Sequence, residues 1–151
     1  MIFKKIKKAH QSILQEWLKD KATRKHLGGM LPLEDCINYM ISNIDTLAYF
    51  VFKNEMPIGM VDVEFYPSEK TTSLSLLINP NFRKKGIGTF ILKTTLQLDC
   101  FKNYTRLDAF IEPENIASIK CFQNAGFQKM NEELDEDGMF CFAYFFDKIT
   151  Y

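Results

Sequence analysis

The sequence of 151 residues has no net charge, because 19 lysines and arginines balance 19 aspartates and glutamates. A protein that mainly grips nucleic acid or an anionic membrane needs a basic surplus, so we expect neither partner. Histidine is scarce, with only His10 and His26, and the four separated cysteines contain no C-x-x-C pair. This pattern predicts neither a metal site nor a disulfide framework, and favours buried free thiols.

Long apolar runs are also absent. No segment approaches the length needed to span a bilayer, and the N-terminal residues MIFKKIKKAH interrupt their apolar positions with lysines. We therefore expect a cytoplasmic protein. Apolar material is nevertheless plentiful, since 46% of the residues are hydrophobic and 14% are aromatic. That content suits one substantial core, and we expect a single domain over residues 1–151.

Hydrophobic periodicity predicts a mixed α/β chain in the order β-α-α-β-β-β-α-β-α-β-β. Helical spacing of apolar residues predicts helices at 12–19, 33–44 and 90–101, and a fourth between Asn115 and Gly126. A polar Gly-Gly connection is expected after the first helix. Strands are predicted at residues 1–6, 46–52, 58–65, 73–78, 106–111, 127–134 and 139–146.

Residues 78–89, INPNFRKKGIGT, join a predicted strand to a predicted helix through a basic turn with two glycines. The first N–H groups of a helix have no intrahelical partner, and its dipole favours an anion there. Gly86 and Gly88 lack a Cβ, so a ligand oxygen can approach the main chain. Arg83, Lys84 and Lys85 add positive charge. The turn is therefore predicted to hold a pyrophosphate.

The turn has other interpretations. A Rossmann fingerprint needs a third glycine where this chain has Ile91, although Asp108 lies near the spacing of a ribose-binding acid. A Walker P-loop is missing its Gly-Lys-Ser/Thr. An ordinary solvated turn is the simplest alternative, and a nucleotide-binding module remains a second one.

A second block, residues 115–127 (NIASIKCFQNAGF), makes the interpretation of the turn more specific. Asn115 suits a helix N-cap, and Gly126 suits the left-handed position that ends a helix. With Arg83-x-x-Gly86-x-Gly88, this block resembles the acyl-CoA-binding signature of the GNAT superfamily of N-acetyltransferases. The element order resembles that of the family over nearly the whole chain.

The resemblance implies the GNAT fold, a mixed, mostly antiparallel sheet of about seven strands flanked by about four helices. The strands at 73–78 and 106–111 would splay apart and admit acetyl-CoA, and a main-chain N–H near Leu77 or Ile78 would bond its thioester carbonyl. The residues expected to bind acetyl-CoA are Leu76, Leu77, Ile78, Arg83, Lys84, Lys85, Gly86, Ile87, Gly88, Thr89, Asn115, Ser118 and Phe122.

The implied reaction is direct attack of a primary amine, on a small molecule or a peptide, on acetyl-CoA. Many family members carry a base five positions before the motif asparagine, where this chain has Phe110. The catalytic candidates are therefore Glu112 or Asp108 as base, which alternation places on one strand face, and the main chain of Ile78. Asp62 and Glu64 are further candidates for the base.

Many family members also carry a tyrosine, as general acid, where this chain has Phe122. A phenyl ring cannot donate a proton, so the thiolate would leave unaided, or Tyr104, Tyr144 or a water would protonate it. Branches that acetylate protein N-termini often have an apolar residue here. The two missing side chains keep a catalytically silent acyl-CoA-binding or sensor module as an alternative.

Within the family, the chain resembles ribosomal-protein, aminoglycoside and siderophore-side-chain acetyltransferases. The likeness to the latter two lies in residues 15–18 (QEWL), followed by Gly28 and Gly29. The expected substrate-binding residues are Trp17, Tyr49 and Glu64, although core packing is the other interpretation of Trp17. Acids at residues 132–137 would attract a cationic amine or simply form a solvated turn. A homodimer is left open.

Overall fold

The computed structural model describes residues 1–30 and 32–147. Leu31 and residues 148–151, which the single-domain prediction includes, lie outside the described residues. Within the described ranges, seven strands form one sheet in the order β1-β2-β3-β4-β5-β7-β6. They are β1 (Ile2–Lys5), β2 (Thr46–Lys53), β3 (Met56–Tyr66), β4 (Thr71–Ile78), β5 (Arg106–Ile111), β6 (Gln128–Lys129) and β7 (Phe140–Phe145).

Neighbouring strands are antiparallel except for β4 and β5, which are parallel. This confirms the predicted mixed, mostly antiparallel sheet. The parallel pairing is short, because only Thr71–Ser73 pairs with Arg106–Asp108. Both strands continue beyond these pairs, so they diverge towards their C-terminal ends, as the family resemblance implied.

Five α-helices occur in the described parts of the chain, one more than predicted. They are α1 (Gln11–Trp17), α2 (Lys21–Leu27), α3 (Leu33–Ser42), α4 (Ile87–Thr95) and α5 (Ile116–Asn124). The additional helix is α2, which lies in the region predicted to be a polar connection. Its start is capped by Asp20, whose carboxylate accepts the N–H of Thr23 at 3.0 Å. The helix α2 has only seven residues, and three of them are lysine or arginine. Its sequence therefore lacks the long apolar stripe that would predict a helix.

The C-terminal hairpin is less regular than predicted. The strand expected at 127–134 is reduced to β6, two residues long. Beyond β6, side chains take the backbone donors of the opposite strand: Asn131 accepts the N–H of Cys141 at 2.9 Å, and Asp135 accepts that of Met139 at 2.9 Å. These local bonds compete with regular pairing and end the ladder.

The sheet separates two main hydrophobic clusters. On one face, Leu14 of α1 and Ile37 of α3 pack with Phe50, and on the other face Leu92 of α4 and Phe122 of α5 pack against β5 and β7. Each fully buried side chain of this size contributes about 1.5–3 kcal/mol. The packing against β5 lies on the face of α4 and α5, and the gap between the diverging ends of β4 and β5 stays open as a cavity.

Candidate active site

The principal cavity, of about 710 Å³, lies where β4 and β5 diverge. Its volume is in the usual range of small-molecule sites. One wall is the C-terminal half of β4, the opposite wall is the end of β5 with Glu112, and the remaining walls come from α2, α4 and α5. Of the thirteen residues predicted to bind acetyl-CoA, twelve line this cavity, and the exception is Lys85.

The main chain of β4 presents N–H groups to this gap. Asn79 donates its N–H to Ile58 on β3 at 3.0 Å, and the register pairs Ile78 with Gly59. In an antiparallel ladder the bonded positions alternate, so the N–H groups of Ile78 and Leu76 are directed away from β3, towards β5. The N–H of Leu77 is directed to β3. Of the two donors predicted for the thioester carbonyl, only Ile78 therefore faces the gap.

The glycine turn, residues 83–89, enters α4 through left-handed backbone conformations. Lys84 has φ +63° and Gly86 has φ +74°, a region that glycine adopts without strain and lysine does not. A Cβ at Gly86 would meet no heavy atom within 4 Å. The backbone conformation, and not crowding, is what requires glycine at this position.

Gly88 is small for a different reason from the one the sequence suggested. A Cβ there would lie 2.7 Å from the Sγ of Cys121 on α5. The missing side chain at Gly88 thus lets α4 pack closely on α5. The surrounding atoms explain this glycine by helix packing, and not by the approach of a ligand to the main chain. Cys121 also lines the cavity, and burial raises the pKa of its thiol.

The three predicted cations of the turn have different environments. Arg83 lines the cavity while donating to Asp20 at 2.8 Å and to the hydroxyl of Thr23 at 2.5 Å. Lys84 also lines the cavity. The ammonium of Lys85 lies over the ring of Phe82, 5.3 Å from its centroid, and outside the cavity lining. Arg83 and Lys84 are thus the turn's cations placed to meet an anion.

The second sequence block forms the opposite rim. Asn115 caps α5 by accepting the N–H of Ser118 at 3.3 Å, which confirms the predicted N-cap. Both residues line the cavity together with Phe122. The ring of Phe122 is 3% exposed and packs edge-on against Phe127, with centroids 4.9 Å apart. Phe122 thus shapes the wall and has no proton to donate.

The two predicted bases are in unlike surroundings. Glu112 lines the cavity just beyond the end of β5. Asp108 is 8% exposed, does not line the cavity, and forms an ion pair with Arg106 at 2.8 Å. Burial raises the pKa of Asp108, and the Arg106 guanidinium opposes that shift. Of the two predicted bases, only Glu112 lines the cavity.

The carboxylates on β3 lie one strand behind the cavity. Asp62 is directly opposite Ser75 of β4, which does line the cavity. Burial, with a smaller contribution from Glu64, raises the pKa of Asp62 to about 6. Glu64 accepts the hydroxyl of Tyr66 at 3.0 Å. Neither acid is part of the cavity lining.

The predicted substrate-binding residues do not come together. Trp17 is 4% exposed and packs against Phe50, with ring centroids 5.7 Å apart, so it belongs to the core. Tyr49 packs edge-on against Phe3. Tyr49 and Glu64 are an odd number of paired positions apart on adjacent strands, so they lie on opposite faces of the sheet. None of the three lines the principal cavity.

Tyr104 and Tyr144, considered as general acids, also lie outside the cavity lining. Tyr104 packs on Phe65 with centroids 5.1 Å apart, and Tyr144 on Phe127 at 5.7 Å. Residues that the sequence did not single out do line the cavity: Ala22, Thr23, Lys120, Cys121, Asn124 and Met139. A local signal existed only for Thr23, because Asp20-x-x-Thr23 has the spacing of a helix cap.

No cluster of three or more histidine, cysteine, aspartate or glutamate side chains in residues 1–30 and 32–147 is arranged to hold a metal ion. No helix in these ranges has both the length and the apolar character needed to cross a membrane.

Comparisons with known proteins agree with this geometry. Residues 1–128 match the family model of the acetyltransferase (GNAT) domain. An uncharacterized N-acetyltransferase of Bacillus subtilis (strain 168), YfmK, is 32% identical over 136 residues, covering 90% of each chain. The aminoglycoside acetyltransferase AAC(6')-Ib in complex with coenzyme A superposes with a TM-score of 0.78 at 18% identity, covering 95% of this chain and 93% of the other.

A chimera of the spermidine N-acetyltransferase SpeG of Vibrio cholerae with hSSAT has a TM-score of 0.77 at 15% identity, covering 96% of both chains. These two structural likenesses establish the fold. The family match and the Bacillus subtilis relative carry the family assignment.

Proposed function

This chain belongs to the GNAT acetyltransferases, and on that premise we propose that it transfers the acetyl group of acetyl-CoA to a primary amine of a small molecule or a peptide. An acetyl-CoA-dependent N-acetyltransferase follows from the family. The acceptor and the roles of single residues are inferred from the cavity. Family membership also argues against the nucleotide-binding alternative.

One observation carries the proposal: a single cavity has the glycine turn along one wall and the N–H of Ile78 directed into it from another. The diphosphate of acetyl-CoA would bind at the turn and the start of α4, near Arg83 and Lys84. Its pantetheine arm would extend along β4 past Asn115 and Ser118. The thioester carbonyl would then accept the N–H of Ile78, and such a donor typically lowers the barrier by about 3 kcal/mol.

The amine must lose a proton before it attacks. An alkylammonium has a pKa near 10, so deprotonation at pH 7 costs about 4 kcal/mol. We assign the proton acceptor to Glu112, because it lines the cavity and Asp108 does not. Glu112 accepts the first proton from the ammonium and passes it to solvent. The neutral amine nitrogen then forms a bond to the acetyl carbon and releases its second proton by the same route, and the carbon–sulfur bond breaks with its electron pair leaving on the CoA sulfur.

The leaving group needs no dedicated acid in this scheme. Phe122 has no donor, and Tyr104 and Tyr144 lie outside the cavity lining. A thiol pKa of about 8.5 makes the CoA thiolate a tolerable leaving group at neutral pH, and solvent can protonate it after departure. The missing tyrosine thus reduces the expected rate without removing the reaction.

Two measurements test the proposal. Calorimetric titration with CoA, NAD and ATP should show binding of CoA alone. Free-thiol release from acetyl-CoA should then rise with at least one amine in a panel of polyamines, amino sugars, amino acids and N-terminal peptides. Binding of NAD or ATP in preference to CoA would contradict the cofactor assignment, and CoA binding without thiol release on any amine would contradict the acceptor assignment.

A further inference from the structure

A closed ring of hydrogen bonds joins α2 to the glycine turn at the edge of the cavity. Arg83 donates through Nη1 to Asp20 at 2.8 Å and through Nη2 to the Oγ1 of Thr23 at 2.5 Å. The same hydroxyl donates to Asp20 at 2.9 Å. The hydroxyl donates its single proton to Asp20 and accepts from Arg83 with one of its two lone pairs, so one orientation satisfies all three groups.

The ring fixes a flexible side chain beside a strained turn. Thr23 is 2% exposed and lies on α2, while Asp20 is anchored by the N–H of Thr23 at 3.0 Å. Arg83 comes directly before Lys84, which has φ +63°. A guanidinium held in one plane at this point presents its remaining N–H groups in a fixed direction, and the cost of ordering it is met before a ligand arrives.

The ring fixes the Arg83 side chain and leaves some of its N–H donors unused by the ring. A guanidinium has five N–H donors and the ring uses two of them. The Arg83 and Asp20 side chains remain 35% and 33% exposed, and Arg83 and Thr23 both line the cavity. Donors and positive charge therefore remain for an anion entering at the turn.

We propose that Thr23 and Asp20 are positioning residues for acetyl-CoA, acting through Arg83 on the diphosphate and not on the pantetheine arm. This inference rests on the proposed function, because it requires the diphosphate to lie at the glycine turn. It gives α2, the helix missing from the sequence prediction, a specific part in cofactor binding.

The test compares CoA with pantetheine, which lacks the diphosphate. Thr23→Val removes the hydroxyl with little change in shape and none in charge. We expect it to raise the Kd of CoA about tenfold, equivalent to about 1.4 kcal/mol, and to leave the Kd of pantetheine unchanged in calorimetry. Thr23→Ser keeps the hydroxyl, so this variant should bind CoA with the affinity of the unmodified protein. Thr94→Val, at a half-buried threonine of α4 that does not line the cavity, is the matched control and should change neither value.

A double-mutant cycle separates positioning from direct contact. In an Arg83→Gln background, Thr23→Val should add no further loss of CoA affinity, because its effect passes through Arg83. Additive losses, an equal loss for pantetheine, or unchanged CoA binding in a folded Thr23→Val protein would each overturn the proposal. If Thr23→Val does not fold, Asp20→Asn replaces it: weaker CoA binding supports the proposal and tighter binding overturns it.

Failure of the proposed function is distinguishable from failure of this inference. If the unmodified protein binds pantetheine as tightly as CoA, no diphosphate site exists at the turn, and this result precedes any variant. If it prefers CoA and Thr23→Val preserves that preference, the diphosphate site stands and only the positioning role is lost.

Discussion

The cofactor side and the acceptor side of the cavity are built by different means. On the proposed cofactor side, β4, the glycine turn and α4 follow one another in the chain, and main-chain groups such as the Ile78 N–H are the proposed ligand contacts. On the proposed acceptor side, side chains from separate elements would have to converge, and the predicted Trp17, Tyr49 and Glu64 do not line the cavity. A site made from contiguous main chain is therefore easier to recognise in a sequence than one made from converging side chains.

The largest expected effect tests the acceptor side. Glu112→Gln should lower kcat about 10²- to 10⁴-fold, because the proton acceptor is lost. The KM for acetyl-CoA should stay unchanged, because the turn is untouched. Thiol-release kinetics with the best amine of the panel measure both values. Glu114→Gln is the control, since Glu114 does not line the cavity. An undiminished kcat in Glu112→Gln would move the base elsewhere.

The next effect tests the cofactor side through its backbone. Valine at Gly86 must adopt φ +74°, which costs a residue with a Cβ about 1–2 kcal/mol and distorts the turn. We expect Gly86→Val to raise the Kd of CoA by about 10- to 30-fold in calorimetry. Gly138→Val is a matched control, because Gly138 has φ +75° and open space but lies in the C-terminal hairpin. Equal CoA affinities in the two variants would refute the assignment of the turn.

The same contrast explains what the sequence could predict. The strand at 106–111 and the N-cap Asn115 were predicted correctly, because short-range periodicity and capping chemistry specify them. Twelve of the thirteen predicted cofactor residues line the cavity for a related reason, since they belong to two contiguous blocks.

The rest depended on contacts that local patterns do not encode. The ring that fixes α2 joins Arg83 to Asp20, 63 residues away. The helical spacing of Trp17 fits either a core position or a position at a substrate pocket. Only its packing on Phe50 shows that it belongs to the core. Asp108 and Glu112 occupy equivalent positions in the strand alternation, yet Asp108 is paired with Arg106 whereas Glu112 lines the cavity.

A third effect tests whether the second glycine of the turn serves helix packing. A methyl group at Gly88 would lie 2.7 Å from the Sγ of Cys121, so Gly88→Ala should lower the free energy of unfolding by about 1–3 kcal/mol. Adding Cys121→Ala should recover most of that loss in urea unfolding. Gly29→Ala, where a Cβ meets nothing within 4 Å, is the control. Persistence of the full loss in the double variant would contradict the packing explanation.

The smallest effect concerns the buried acid behind the acceptor side. The pKa of Asp62 is raised from 3.8 to about 6, so its folded form holds a proton over a pH range in which the unfolded chain has released it. Ionised Asp62 therefore destabilises the protein as pH rises through about 4 to 6, and the penalty is complete above that range. The negative charge of Glu64 on the same strand also raises the pKa of Asp62, and the thiol of Cys36 on α3 faces the same carboxylate.

Asp62→Asn should consequently raise the free energy of unfolding at pH 8 by about 1–2 kcal/mol, and change it little at pH 4. Urea unfolding at the two pH values measures the difference, with the exposed Asp45→Asn as control. A pH-independent effect would mean that Asp62 acts through packing. A loss of kcat in Asp62→Asn, with Glu112→Gln still active, would make Asp62 the proton acceptor and extend the acceptor side to β3.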